Sequence, residues 1–166
     1  GAKFSSATWR ELGTLDKLVE AGHRVHALDM PGFGNTGRCK AGHAEVLKKF
    51  IDEKTEMPPV LIGPSMSGPT CLDVYFSCPA DVGGLVLVGT VGVENFRDRF
   101  REISVPVLIV WGDQDKVSSP ENAYFLEKEI ANVRLAMLTD ARHPCYLDKP
   151  EVWHNELIGF LSSGVT

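Results

Sequence analysis

Apolar positions recur first with a helical spacing and then in short runs closed by glycine or proline. From Trp9 to Ala21 the spacing predicts a helix: Trp9, Leu12, Leu15, Leu18 and Val19 share one face, Thr8 and Glu11 have capping-box spacing, and Gly22 is a stop signal. Arg24 to Leu28 then predicts a strand, because Val25 and Ala27 alternate with polar neighbours. It runs into the breaker-rich turn Asp29-Met30-Pro31-Gly32-Phe33-Gly34, leaving Asp29 at the strand's carboxyl end. A helix is predicted over Glu45 to Glu53, and Pro58-Pro59 lead into the apolar strand Val60-Leu61-Ile62-Gly63. Gly68 to Cys78 predicts a helix ended by Pro79, and Leu85 to Val88 a strand between glycines. Val105 to Trp111 is a further strand, Pro120 to Ile130 a helix opened by Ser119 and Pro120, and Val133 to Leu138 the last strand. Pro150 starts a closing helix whose Trp153, Leu157, Phe160 and Leu161 lie on one face.

Alternating helices and strands predict an α/β fold: a parallel sheet covered by helices on both faces and joined by right-handed crossovers. The 166 residues suit one domain, with 43% hydrophobic and 23% charged residues. No internal repeat or linker interrupts the chain, and Val91 to Glu102 is the expected small insertion over a site. A formal net charge of -5, with Lys and Arg scattered, leaves no basic stripe for a phosphate backbone, so nucleic acid is not the expected ligand. The longest apolar run, Leu85 to Val93, is about half of the roughly 18 to 20 residues a membrane span needs. Cys39, Cys71, Cys78 and Cys145 match no metal motif and are expected to be reduced, which favours a cytoplasmic or nuclear setting.

The chemistry concentrates in Gly63-Pro64-Ser65-Met66-Ser67-Gly68, where an apolar strand meets a helix through a tight turn with a serine at its tip. A nucleophile elbow needs small residues two before and two after the serine, and Gly63 and Ser67 satisfy that for Ser65. With Ser67 as nucleophile, Pro69 would fall where a small residue is required. The hexapeptide alone fits a simple capped turn equally well. Chain order adds weight, since Ser, acid and His follow one another after successive strands. Gly112-Asp113-Gln114-Asp115 follows one late strand, and Thr139-Asp140-Ala141-Arg142-His143 the next. Asp115, further out in its loop, is preferred as the acid that orients an imidazole, and Asp113 is expected to form the turn by binding backbone N–H groups. His23, His26, His43 and His154 read as solvated or packing residues, and no His pair has metal-ligand spacing. Cys145 reads as a buried inert thiol, and Asp148 and Lys149 as the turn into the closing helix.

Several stretches together resemble the α/β-hydrolase-domain-containing protein 14 subfamily. They are Phe4-Ser5-Ser6-Ala7-Thr8-Trp9 with Leu12-Gly13-Thr14-Leu15, Asp29-Met30-Pro31-Gly32-Phe33-Gly34, Pro64-Ser65-Met66-Ser67-Gly68, Gly112-Asp113-Gln114-Asp115, and His143-Pro144-Cys145-Tyr146-Leu147-Asp148-Lys149-Pro150. The resemblance implies a hydrolase sheet with little or no lid, residues 1–166 as one α/β-hydrolase domain, and a triad of Ser65, Asp115 and His143 acting on small acyl groups. It implies no required cofactor, coenzyme A as an acyl acceptor from acetylated lysine, a transcription-related protein partner, and a cytoplasmic and nuclear location. The oxyanion-hole donors it implies are the backbone N–H groups of Met66 and Ala2. Three positions depart from the subfamily. Arg142 stands where it has Gly, Gly63 where it usually has Ser, and Gly1 matches a Gly that follows the family's third strand, so the N-terminal strands are expected to be missing and the chain a fragment. The alternative reading is an interaction protein that keeps this fold without the chemistry.

Overall fold

The structure, a computed structural model, describes residues 4–164. Four strands, β1 (Val60–Pro64), β2 (Gly84–Val88), β3 (Val107–Gly112) and β4 (Val133–Leu138), form one parallel sheet in the order β1-β2-β3-β4. Its helices are α1 (Ser6–Glu11), α2 (Thr14–Glu20), α3 (His43–Lys54), α4 (Ser67–Ser77), α5 (Pro120–Glu129), α6 (Cys145–Asp148) and α7 (Pro150–Ser162). Successive side chains of a strand point to opposite faces, so each strand feeds two cores. Leu85, Leu87, Val107, Ile109 and Trp111 pack with Leu47, Leu72 and Leu126 of α3, α4 and α5. Val86, Val88, Leu108 and Val110 pack on the other face with Leu18 of α2 and Trp153, Leu157 and Phe160 of α7. Both faces of β2 and β3 are buried, which is why these strands read as unbroken apolar runs.

The predicted helix over Trp9 to Ala21 is two helices. Gly13 takes a left-handed φ of 78° and separates α1 from α2, letting Trp9 of the first, Leu12 just after it and Leu18 of the second reach the same core. Thr8 is inside α1 and does not cap it, because the helix begins a full turn earlier than the apolar stripe suggests. The segment predicted as a strand from Arg24 to Leu28 is not a strand. A strand requires a ladder partner, and this segment has none among the described residues. Between it and the outer side of β1 lies a cavity of about 570 Å³, lined by Val25, Ala27, Leu61, Ile62, Trp9 and Leu18 among others. The other element boundaries shift by a residue or two, and the short helix α6 was not anticipated.

The two sides of the N-terminal and C-terminal helices meet at a buried polar knot. Trp153 Nε1 donates to Thr14 Oγ1 at 3.3 Å, and Thr14 Oγ1 lies 2.9 Å from His154 Nε2. A hydroxyl has one hydrogen and two lone pairs, so Thr14 Oγ1 can accept from the indole and still pair with a neutral His154 ring. Burial, and then the charge of Lys17, hold the His154 pKa below its ordinary value of 6.5. A histidine whose folded pKa is depressed contributes stability that is full above about pH 6.5 and is lost as pH falls through the folded value. The thermal midpoint should therefore decline as pH drops below about 6.5, and His154→Gln should flatten that decline in melts recorded between pH 8 and 5.

Candidate active site

Because the four strands run the same way, the loops after β1, β2, β3 and β4 open on one rim of the sheet. Ser65 is the first residue after β1 and sits at φ 52°, a left-handed conformation that costs a non-glycine residue about 1–3 kcal/mol. Its N–H donates to the Val88 carbonyl at 2.8 Å, and its own carbonyl accepts from the N–H groups of Gly68 at 3.1 Å and Val91 at 3.4 Å. At about 1 kcal/mol net each, these bonds are of the size needed to hold the turn. A Cβ on Gly63 would come within 2.9 Å of Gly68 Cα and 3.0 Å of Cys71 Sγ, so the elbow is closed tightly around this glycine. Serine at position 63 would require its neighbours to shift, which makes the departure from the subfamily a fitted one.

Asp115 lies in the loop after β3 and His143 in the loop after β4; His143 reaches Ser65, and Asp115 reaches His143. His143 Nδ1 is 2.8 Å from Asp115 Oδ2, and His143 Nε2 is 3.0 Å from Ser65 Oγ. An ionised carboxylate only accepts, so Nδ1 carries the proton and Nε2 is left to accept from the serine hydroxyl. The Asp115 side chain is 2% exposed and that of His143 14%, so the pair is shielded from water while the serine end faces outward. The other oxygen of Asp115 accepts the N–H groups of Val117 at 2.8 Å and Ser118 at 2.9 Å. Here the structure corrects an expectation: Asp115, not Asp113, makes the turn. Asp113 is exposed, and among the described residues its side chain forms no hydrogen bond.

The remaining candidates fall as follows. Met66 follows Ser65 directly and caps α4, where the N–H groups of a helix N-terminus point outward. Ala2 lies outside the described residues. Arg142 donates its backbone N–H to Asp148 Oδ2 at 2.8 Å and its guanidinium to both oxygens at 3.2 and 3.1 Å. The pairing draws Asp148 below the usual carboxylate range. Asp148 is thus more than part of a turn into α7: it anchors the residue before His143. Cys145 is buried, and burial, reinforced by the Asp115 charge, pushes its thiol up to about 12, keeping it a neutral packing group. His23, His26 and His43 stand away from the site, with His26 edge-on to Phe50 and His43 edge-on to Phe33. All four cysteines are free thiols. Asp29, which follows Leu28, accepts the N–H groups of Ser6 at 2.6 Å and Asn35 at 3.1 Å, which hold it below the usual carboxylate range.

Gly89 was not singled out in the sequence. It has a φ of 50°, and a Cβ there would lie 3.0 Å from His143 Nδ1 and 3.2 Å from Asp115 Oδ2. The imidazole and the carboxylate meet over the bare backbone of this residue. A glycine closing an apolar strand beside the elbow strand was the only available signal, and it is a weak one.

An acid, an imidazole and a strained serine on the carboxyl rim of a helix-covered parallel sheet define the hydrolase class of α/β proteins. Residues 1–98 match the family model described as alpha/beta hydrolase fold. The human protein named "Putative protein-lysine deacylase ABHD14B" is 36% identical over 169 residues, covering 97% of this chain and 80% of that protein. Mouse "Protein ABHD14A" is 35% identical over 167 residues, covering 97% of this chain and 67% of the relative. Among solved structures, a predicted CIB-like hydrolase from Thermoplasma acidophilum superposes with a TM-score of 0.92 at 25% identity, covering 97% of this chain and 82% of the other. An esterase from Exiguobacterium antarcticum, at 18% identity and a TM-score of 0.88 over 98% and 90% of the two chains, shares the fold. The chain belongs to the α/β-hydrolase family, and within it to the α/β-hydrolase-domain-containing protein 14 subfamily.

A methyl group at Gly89 would push directly on the imidazole and the carboxylate. Gly89→Ala is expected to abolish the low-field proton resonance of the hydrogen-bonded His143 Nδ1–H while circular dichroism shows the fold retained. A resonance that persists unchanged would show that this close approach does not govern the pair.

Proposed function

We propose that the protein is a serine hydrolase that cleaves small acyl groups through an acyl-serine intermediate, with Ser65 as nucleophile, His143 as general base and acid, and Asp115 as the orienting carboxylate. One observation carries the reading: a single imidazole lies 3.0 Å from a strained serine hydroxyl and 2.8 Å from a buried carboxylate. In the first step His143 Nε2 takes the Ser65 proton as Oγ bonds to the acyl carbon, and the imidazolium is stabilised by Asp115. The Met66 N–H, with that of Ala2 as the second donor, holds the oxyanion, each donor lowering the barrier by roughly 2.7 to 4 kcal/mol. His143 then returns the proton to the leaving amine, alcohol or thiol. In the second step it deprotonates the acceptor, whose oxygen or sulfur bonds to the acyl carbon, and then gives that proton to Ser65 Oγ as the acyl–Oγ bond breaks and the acylated acceptor leaves.

The name of the human relative points to acylated lysine as the substrate class, and we carry that to this chain as part of the proposal. The acceptor is water or a thiol, for which coenzyme A is our candidate, and a cytoplasmic or nuclear setting belongs to the same proposal. A fluorophosphonate probe tests the core of it: the wild-type protein is expected to be labelled and Ser65→Ala is expected to lose all labelling. A folded wild-type protein that takes no label would leave the fold without the chemistry. Added coenzyme A should accelerate acyl release if transfer operates, and leave the rate unchanged if water is the acceptor.

A further inference from the structure

Besides the turn that carries Ser65, three loops meet at the site, and two of them supply the acid and the imidazole. The third, Gly89-Thr90-Val91 after β2, touches everything. Its Gly89 lies under the His143 and Asp115 side chains, and its Val91 N–H donates to the Ser65 carbonyl at 3.4 Å. One side chain ties this loop to the acid loop: the Ser118 hydroxyl donates to the Thr90 carbonyl at 2.7 Å. Ser118 is gripped at every polar atom. Its N–H donates to Asp115 Oδ1 at 2.9 Å, its carbonyl accepts from Trp111 Nε1 at 2.9 Å, and its hydroxyl oxygen accepts from Asn122 Nδ2 at 3.1 Å. Ser118 and Thr90 are both buried.

The alternatives for this residue are weaker. Ser118 does not cap α5, whose N-cap is Ser119, and it forms no part of the apolar cores. Nor does it face solvent, where a polar side chain needs no explanation. Its hydroxyl spends its one proton on a carbonyl of the loop that also reaches the serine backbone. We propose that Ser118 is a positioning residue: it locks the Asp115 loop to the loop after β2, and so fixes the distance between the carboxylate and the His143 ring relative to Ser65. The inference rests on the proposed role of the triad for its kinetic consequence, but the geometric claim is independent of it.

Removing the hydroxyl leaves the buried Thr90 carbonyl without its donor, and the two loops are then free to part. Ser118→Ala is expected to lower kcat for a small aryl ester about tenfold, as for loss of one buried hydrogen bond, with KM unchanged. The low-field His143 Nδ1–H resonance should weaken or vanish in the same variant. Asn122→Ala, at a half-buried position in the first turn of α5 where alanine suits a helix, should show the same changes in smaller measure, and it decides the matter if Ser118→Ala does not fold. A wild-type resonance and wild-type kcat in the folded variants, with only a lower thermal midpoint, would overturn the proposal. Because the resonance is read without turnover, a wild-type protein that takes no fluorophosphonate label would remove the catalytic reading while the resonance still decides the role of Ser118.

Discussion

Everything at the site depends on four strands running in one direction. In a parallel sheet each strand delivers its following loop to the same rim, so residues separated by 78 positions, such as Ser65 and His143, come within hydrogen-bond distance without any long excursion of the chain. The sheet is rigid because β2 and β3 are buried on both faces. Rigid strands fix where each loop begins, and short loops leave little freedom in where it ends. The site is therefore an outcome of core packing as much as of the polar residues themselves.

Strain and its compensation sit side by side here. Ser65 is held at a left-handed φ by backbone bonds to β2 and to the loop beyond it, and Asp115 is held by the turn it forms with its own second oxygen. The imidazole completes the arrangement over a glycine that leaves it room. Arg142 fits the same logic. Its exposed side chain folds onto Asp148, and the backbone bond to the same carboxylate steadies the turn that presents His143. A residue that departs from the subfamily is thus held by one that belongs to the matching stretch.

Much of this was legible in the chain. Parallel strands buried on both faces show themselves as short apolar runs, and the spacing of such runs with helical stretches predicted the layering. Ser65 was legible because a tight turn demands small residues at fixed offsets, and His143 because it alone stands after a late strand. Local pattern misled where a distant partner decides the outcome. The alternation over Arg24 to Leu28 is real, but a strand needs a neighbour, and the neighbouring space is a cavity among the described residues. The helical stripe from Trp9 to Ala21 is also real, yet Gly13 turns the chain so that both halves reach one core. Loop position favoured Asp115 over Asp113 as the acid, but that Asp115 also forms the turn through its second oxygen showed only in the structure.

By itself the sequence determined most of the elements and their order and marked Ser65, Asp115 and His143 as candidates, because periodicity, turn chemistry and residue type are local properties written at each position. The tertiary structure alone decided which groups meet. Gly89 under the imidazole, Ser118 between two loops and Asp148 beneath Arg142 are contacts between segments far apart or oppositely directed. Such contacts depend on strand register and side-chain direction, which no local pattern encodes.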